Sequence, residues 1–213
     1  MGRVVSSTRL VCTVEDVSPS EMQHSDAPHR EIQRAADALQ RMGQAENLAE
    51  LEEHWKDFLH RVDRAWNKAL DHFGKSPKWG GWCGRYVKAR KSDPLLSYLV
   101  NARNADEHSI TDIVRHQRGW VAVGPADLGS YRVNSLTITD GRIQVDSPDP
   151  TRVTFSPERM HLLPVKNRGV DYPVPRSHQG KPIADPSAIA VAELGLVFYK
   201  TMLDAAETYF VAR

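Results

Sequence analysis

Between Asn47 and Gly74 the apolar residues Leu48, Leu51, Trp55, Phe58, Val62, Ala65 or Trp66, Ala69 and Phe73 recur in steps of three and four, the spacing of one face of an α-helix. At 1.5 Å per residue a helix over this stretch is about 40 Å long. Its apolar stripe is too long for one short neighbour to cover, so the chain must supply further helices along it. Together with the helices read on either side of it, this stretch points to a mainly α fold built as a helical bundle.

The partners are legible on either side. Ser25 or Asp26 can cap a helix with Pro28 in its first turn; Ile32, Ala35, Ala36 and Leu39 carry it from about 30 to Met42, and Gly43 stops it. Residues 1–28 read as an N-terminal arm with a candidate strand, Arg3 to Val14, rich in Val and Thr. After Gly74, the run Ser76-Pro77-Lys78-Trp79-Gly80-Gly81-Trp82 reads as a breaker-rich loop, and Cys83 to Ala89 as a short helix. Ser92 or Asp93 caps the next helix, with Pro94 at its first position and Leu96, Leu99, Ile110, Ile113 and Val114 as its apolar face, predicted over 93–117. The last helix, 186–211, presents Val191, Leu194, Phe198, Met202, Ala205 and Tyr209 on a broad apolar face. Trp55, Phe58, Trp66 and Phe73 are predicted in the core, with Trp79 or Trp82 partly accessible.

From Gly119 the period changes. Trp120 to Val123 reads as a strand, and Leu136 to Thr139 and Arg142 to Val145 flank Asp140-Gly141, a strong hairpin signal. Val153 to Phe155 and His161 to Leu163 add shorter extended pieces. Residues 119–165 are therefore expected to form a small antiparallel sheet, and 166–184, with Gly169 and Gly180, a long surface loop. Together 119–184 make a β insertion before the last helix. The bundle itself is discontinuous, 29–118 with 185–213.

Charge and cysteine usage narrow the function. With 28 basic against 27 acidic residues the net charge is +1, so no global footprint for nucleic acid exists and any RNA contact must be local. Cys12 and Cys83 lie far apart without metal-ligand spacing, which disfavours a disulfide scaffold or a zinc site. No apolar run approaches the roughly 18 residues that span a bilayer, and Met1 to Val14 lacks a signal-peptide apolar core. A cytoplasmic protein with no membrane partner is expected.

The helix at 93–117 carries the candidate chemistry. Arg103 falls in the middle of its apolar face, Asp106 and Glu107 follow one turn on, and His108 is rotated by about 140°. A guanidinium there requires a carboxylate partner or an opening onto solvent or ligand. The segment Arg103-Asn104-Ala105-Asp106-Glu107-His108 resembles the R-N-x-x-x-H form of the R-x4-6-H motif of the HEPN superfamily (higher eukaryotes and prokaryotes nucleotide-binding), and Asp93-Pro94-Leu95-Leu96 with Tyr98-Leu99 fits the run into that motif helix. The resemblance implies a small helical bundle acting as a homodimer with facing motif helices, and metal-independent endoribonuclease activity without a cofactor. It also implies toxin–antitoxin or phage-defence settings, with a cognate antitoxin or defence component as partner. Members that lack catalysis serve as modules binding nucleotide, RNA or protein, or as dimerisation domains.

On this reading His108 takes the 2′-hydroxyl proton, Arg103 stabilises charge on the phosphate, Asn104 holds the phosphate or orients His108, and Asp106 or Glu107 orients Arg103. The basic run Arg85, Lys88, Arg90 and Lys91 is either a solvated face or a phosphate-contacting lip, with Trp79 or Trp82 as a stacking surface. A rival metal site draws on Asp57, His60, Asp106, Glu107 and His108, but the Glu-x-x-His pair of carboxylate-bridged bundles is missing, so no metal is expected.

Overall fold

The computed structural model describes residues 26–108, 112–127 and 130–211, so the candidate strand Arg3 to Val14 lies outside the described residues. Among those described, the helices are α1 (Ala27–Gln44), α2 (Leu48–Phe73), α3 (Trp79–Ser92), α4 (Pro94–His108) and α5 (Ala188–Phe210). The fold is mainly α, with antiparallel strand pairs between α4 and α5.

α2 is the axis of the bundle. Asn47 begins it: its side-chain oxygen accepts from the Glu50 amide at 2.9 Å, and the Glu50 carboxylate accepts in return from Asn47 Nδ2 and from the Glu46 amide. Trp55, Phe58, Leu59, Val62, Ala65, Trp66, Ala69 and Phe73 are all buried, as their spacing requires. α1, α4 and α5 pack on α2. α5 crosses α4 so closely that a Cβ on Gly195 would lie 2.6 Å from Leu99 Cδ1, which is why a glycine occupies a position in mid-helix.

Three stretches depart from the sequence reading. The α4 helix, described over Pro94–His108, does not continue to 117, because Val114–Gln117 is strand β1. Ile113 and Val114 are β-branched and lose rotamer freedom in a helix; both are buried all the same, Val114 from strand β1 and Ile113 from the bend before it. The breaker-rich run at 76–82 is helical from Trp79. Two exposed glycines in the first turn are costly, by about 1 kcal/mol each, but Trp79 stacks on Phe73 at 5.4 Å and on Trp82 at 5.2 Å, and packs against Phe210, which offsets that cost. Trp79 is therefore buried and Trp82 half-buried.

The β insertion also differs from a small sheet. β1 (Val114–Gln117) pairs with β6 (Arg159–Leu162), β2 (Trp120–Pro125) with β5 (Thr151–Ser156), and β3 (Ser135–Thr139) with β4 (Arg142–Asp146). The three pairs are nested along the chain, β1–β6 outermost in sequence and β3–β4 innermost, and β3–β4 turns at Asp140-Gly141 as the sequence predicts; residues 126–134 and 147–150 separate it from β2–β5. The stretch expected as a loop contains two further hairpins, β7 (Val165–Asn167) with β8 (Val170–Tyr172) and β9 (Ser177–His178) with β10 (Lys181–Pro182). Both turn through positive-φ pairs, Arg168-Gly169 and Gln179-Gly180, whose twist suits two-residue hairpins. Two bonds pin this region to α4: Tyr98 donates its hydroxyl to the Leu163 carbonyl at 2.8 Å, and Asn167 Nδ2 donates to the buried Asn101 Oδ1 at 2.7 Å. Among the described residues no helix is long and apolar enough to cross a membrane.

Candidate functional site

α4 is fixed at its start by Asp93. One carboxylate oxygen accepts from the amides of Leu95 (3.0 Å) and Leu96 (3.1 Å), the N-cap geometry. The same oxygen lies 3.0 Å from His178 Nδ1, and the other accepts from the Gln179 amide at 2.7 Å. Burial alone would raise the Asp93 pKa, but these hydrogen bonds outweigh it and hold the carboxyl below its usual range. The β9–β10 hairpin thus clamps the helix whose other end carries the motif.

At that other end the motif residues converge on one carboxylate. Glu107 Oε2 lies 2.8 Å from Arg103 Nη1 and 3.5 Å from His108 Nε2, while its Oε1 lies 3.3 Å from His60 Nδ1 on α2. Arg103 also donates to Asn104 Oδ1 at 3.2 Å. Its Nε is buried, 3.6 Å from Asp63 Oδ2 and without a hydrogen bond. The Arg103 side chain is 23% exposed, against 74% for His108, so the two differ sharply in reach: Arg103 is held, and His108 faces solvent. Asp106 contacts α2 instead, with Oδ1 3.4 Å from Lys56 Nζ and Oδ2 3.4 Å from His60 Nε2. Glu107 is therefore the group that orients Arg103.

A polar stripe of α2 supplies the facing wall. Glu52, Lys56, His60 and Asp63 follow at intervals of four, four and three, on one side of the helix. Lys56 donates to Glu52 at 2.7 Å, and that hydrogen bond, reinforced by the charge of Asp106, raises the Lys56 pKa against its partial burial. Glu52 also meets His116 of β1 at 2.9 Å. At the far end Asp63 Oδ1 accepts from Arg90 Nη2 at 3.0 Å. Arg90 donates through Nε to the Tyr199 hydroxyl, and its guanidinium lies 4.2 Å from the centre of the Trp66 ring. Asp63 thus joins Arg90 of the basic run to Arg103 of the motif.

The remaining basic residues lie elsewhere. Arg85 stacks on Tyr86 and near Trp82, rings eight and four residues before Arg90 on α3, so this aromatic patch is about 6 to 12 Å along the helix from the Asp63 junction. Lys88 and Lys91 are exposed. The rival metal grouping does not assemble: Asp57 accepts from Arg41 at 2.8 Å and from Arg61 at 2.9 Å, away from His60. Among the described residues no cluster of His, Cys, Asp or Glu is arranged to hold a metal ion. Glu52, Lys56, Asp63 and His116 escaped the sequence reading. The three- and four-residue spacing of the α2 set beside its apolar stripe was the only available signal. Compared with protein-family models, curated proteins and solved structures, the chain matches none.

Proposed function

We propose that the end of α4 is the half-site of a metal-independent endoribonuclease, completed when two copies bring their motif helices together. The observation that supports this is the meeting of Arg103 and His108 on Glu107 Oε2, with His108 open to solvent. RNA cleavage without a metal needs a base for the 2′-hydroxyl, a cation for the phosphate and an acid for the departing 5′-oxygen. In the composite site one His108 takes the 2′-hydroxyl proton as that oxygen bonds to phosphorus, giving a 2′,3′-cyclic phosphate. The other copy's His108 protonates the 5′-oxygen as its bond to phosphorus breaks. Arg103 exchanges part of its contact with Glu107 for the phosphate.

A second reading has its own support: Lys56, Arg90 and Arg103 each already touch a carboxylate, as in a structural network that binds a partner without cutting it. One experiment separates the two. Wild type, Arg103→Ala and His108→Ala are incubated with single-stranded and folded RNA in excess chelator, and binding is measured in parallel. Cleavage by wild type that falls by about 10²-fold or more in His108→Ala supports catalysis. Equal turnover by the two proteins removes His108 from the mechanism. Binding without cleavage, lost in Arg103→Ala, supports the non-catalytic module.

A further inference from the structure

Away from the motif, α5 carries Leu194, Val197, Phe198 and Thr201 at i, i+3, i+4 and i+7, which places them on one side of the helix. Together with Tyr86 of α3 and the β9–β10 hairpin they line a cavity of about 430 Å³, a size that small-molecule sites share. Phe198 is buried and meets two rings edge-on, Tyr86 at 6.0 Å and His178 at 6.1 Å. Val197, 65% exposed, adds apolar surface that the chain itself does not cover.

The polar groups of this cavity come from the hairpin. Its register pairs His178 with Lys181 directly across the strands, so the two side chains stand on one face, and both line the cavity. His178 is a fixed group: its side chain is 11% exposed, and Nδ1 lies 3.0 Å from Asp93 Oδ1. The amides of Leu95, Leu96 and Gln179 favour the ionised Asp93 carboxylate. An ionised carboxylate only accepts, so Nδ1 of His178 is the donor. Nε2 is then the open position of the ring, and it has no hydrogen-bond partner among the described residues. Lys181 is exposed and forms no ion pair among the described residues. No acidic side chain lines the cavity.

We infer that this cavity binds a small aromatic carboxylate, its ring packed among Tyr86, Val197 and Phe198 and its carboxylate set between Lys181 Nζ and His178 Nε2. Three features select that chemistry. Rings that meet edge-on around an apolar wall favour a flat aromatic body. A lysine and a histidine side by side, with no acid lining the cavity, favour an anion over a cation. The bond to Asp93 fixes the imidazole before any ligand arrives, so little ordering is left to binding. An incoming carboxylate shares one proton with Nε2, drawn from solvent where the imidazole is neutral. The site lies by the start of α4, whereas Arg103 and His108 lie toward its other end, and it does not rest on their chemistry.

Isothermal titration of the full chain with 2-naphthoate tests it, with 2-naphthamide as the uncharged counterpart and acetate as the anion without a ring. Naphthoate is expected to saturate one site with a dissociation constant between about 10 μM and 1 mM, and the amide and acetate to bind at least about tenfold more weakly. Lys181→Met removes the ammonium and Val197→Asp sets a like charge in the wall, both at exposed positions. His178→Asn keeps a donor for Asp93 and removes Nε2. Each is expected to weaken naphthoate binding at least about tenfold, with thermal melts confirming that the variant is folded. Lys200→Met, exposed on α5 outside the cavity, is expected to bind as the wild type does. Absence of saturable naphthoate binding to the wild type up to about 10 mM overturns the inference. So does an amide that binds as tightly as the acid, undiminished affinity in folded Lys181→Met and Val197→Asp, or an equal loss in Lys200→Met. Naphthoate binding retained by Arg103→Ala, whatever its effect on RNA, separates this result from that of the cleavage assay.

Discussion

Replacing Glu31 tests how the long α1–α2 contact is held. The Glu31 side chain has no solvent exposure, yet its carboxylate lies 2.6 Å from Lys68 Nζ, 3.1 Å from Arg34 Nη1, 3.3 Å from Arg61 Nη1 and 3.7 Å from Arg64 Nε. It is closed off by its cationic partners more than by apolar atoms. Summing four charge-assisted contacts would overstate the loss, because Arg34 and Arg64 are more than half exposed and such pairs contribute only about 0–1 kcal/mol. Arg61 keeps its second partner, Asp57. The deficit is therefore chiefly that of the Lys68 bond and part of the Arg61 bond, and Glu31→Ala should cost about 2–4 kcal/mol at neutral pH. A loss near the middle of that range lowers the melting temperature by roughly 6–12 °C for a chain of this size.

The pH dependence provides an independent check. Burial would raise the Glu31 pKa, but hydrogen bonds from Lys68 and Arg61 and the charges of Lys68 and Arg64 prevail and hold it below its ordinary value of 4.5. A carboxylate depressed in the folded state contributes in full above its unfolded pKa and loses that contribution as pH falls through the folded one. Urea unfolding of wild type and Glu31→Gln should thus show a difference that is constant at neutral pH and shrinks below pH 4.5. A neutral-pH difference under about 0.5 kcal/mol, or one that widens in acid, refutes the account.

Two further outcomes follow from the packing and the α4 clamp. Trp55→Ala should cost about 3–5 kcal/mol in urea unfolding, because Trp55 is fully buried against Phe58; a near-unchanged midpoint would mean that the α2 stripe does not carry the core. Asp93→Asn should cost about 1–3 kcal/mol at neutral pH by weakening the cap and the β9–β10 clamp, and its stability difference from the wild type should shrink as pH falls below 3.8, the ordinary value beneath which Asp93 is depressed. A difference that stays constant or widens in acid would refute the role given to the Asp93 carboxylate.

What could be read beforehand was whatever depends on neighbours in sequence. The α2 stripe and the Asp140-Gly141 turn are local patterns, and both stand. Arg168-Gly169 and Gln179-Gly180 adopt the same left-handed pair, but Arg and Gln carry no turn preference, so their hairpins were missed. The helical start of α3 was hidden because the packing that supports Trp79 comes in part from Phe210, distant in sequence. Val114 suits a helical face or a strand equally, and only its pairing with Leu162 of β6 decides.

The site divides along the same line, and the division bears on its chemistry. Arg103 and Glu107 are four apart on one helix, a pairing visible in the sequence. Asp63, His60 and Lys56 enter only through the rotation of α2 against α4. They lie beside the last described turns of α4, where Asp106 and Glu107 add two carboxylates. On the RNA-cleavage reading, a phosphate approaching one copy meets this negative field with its cations already engaged. A second motif helix would bring another Arg103 and another exposed His108, but with them the same two carboxylates, so on that reading Arg103 must first release Glu107 to reach a phosphate.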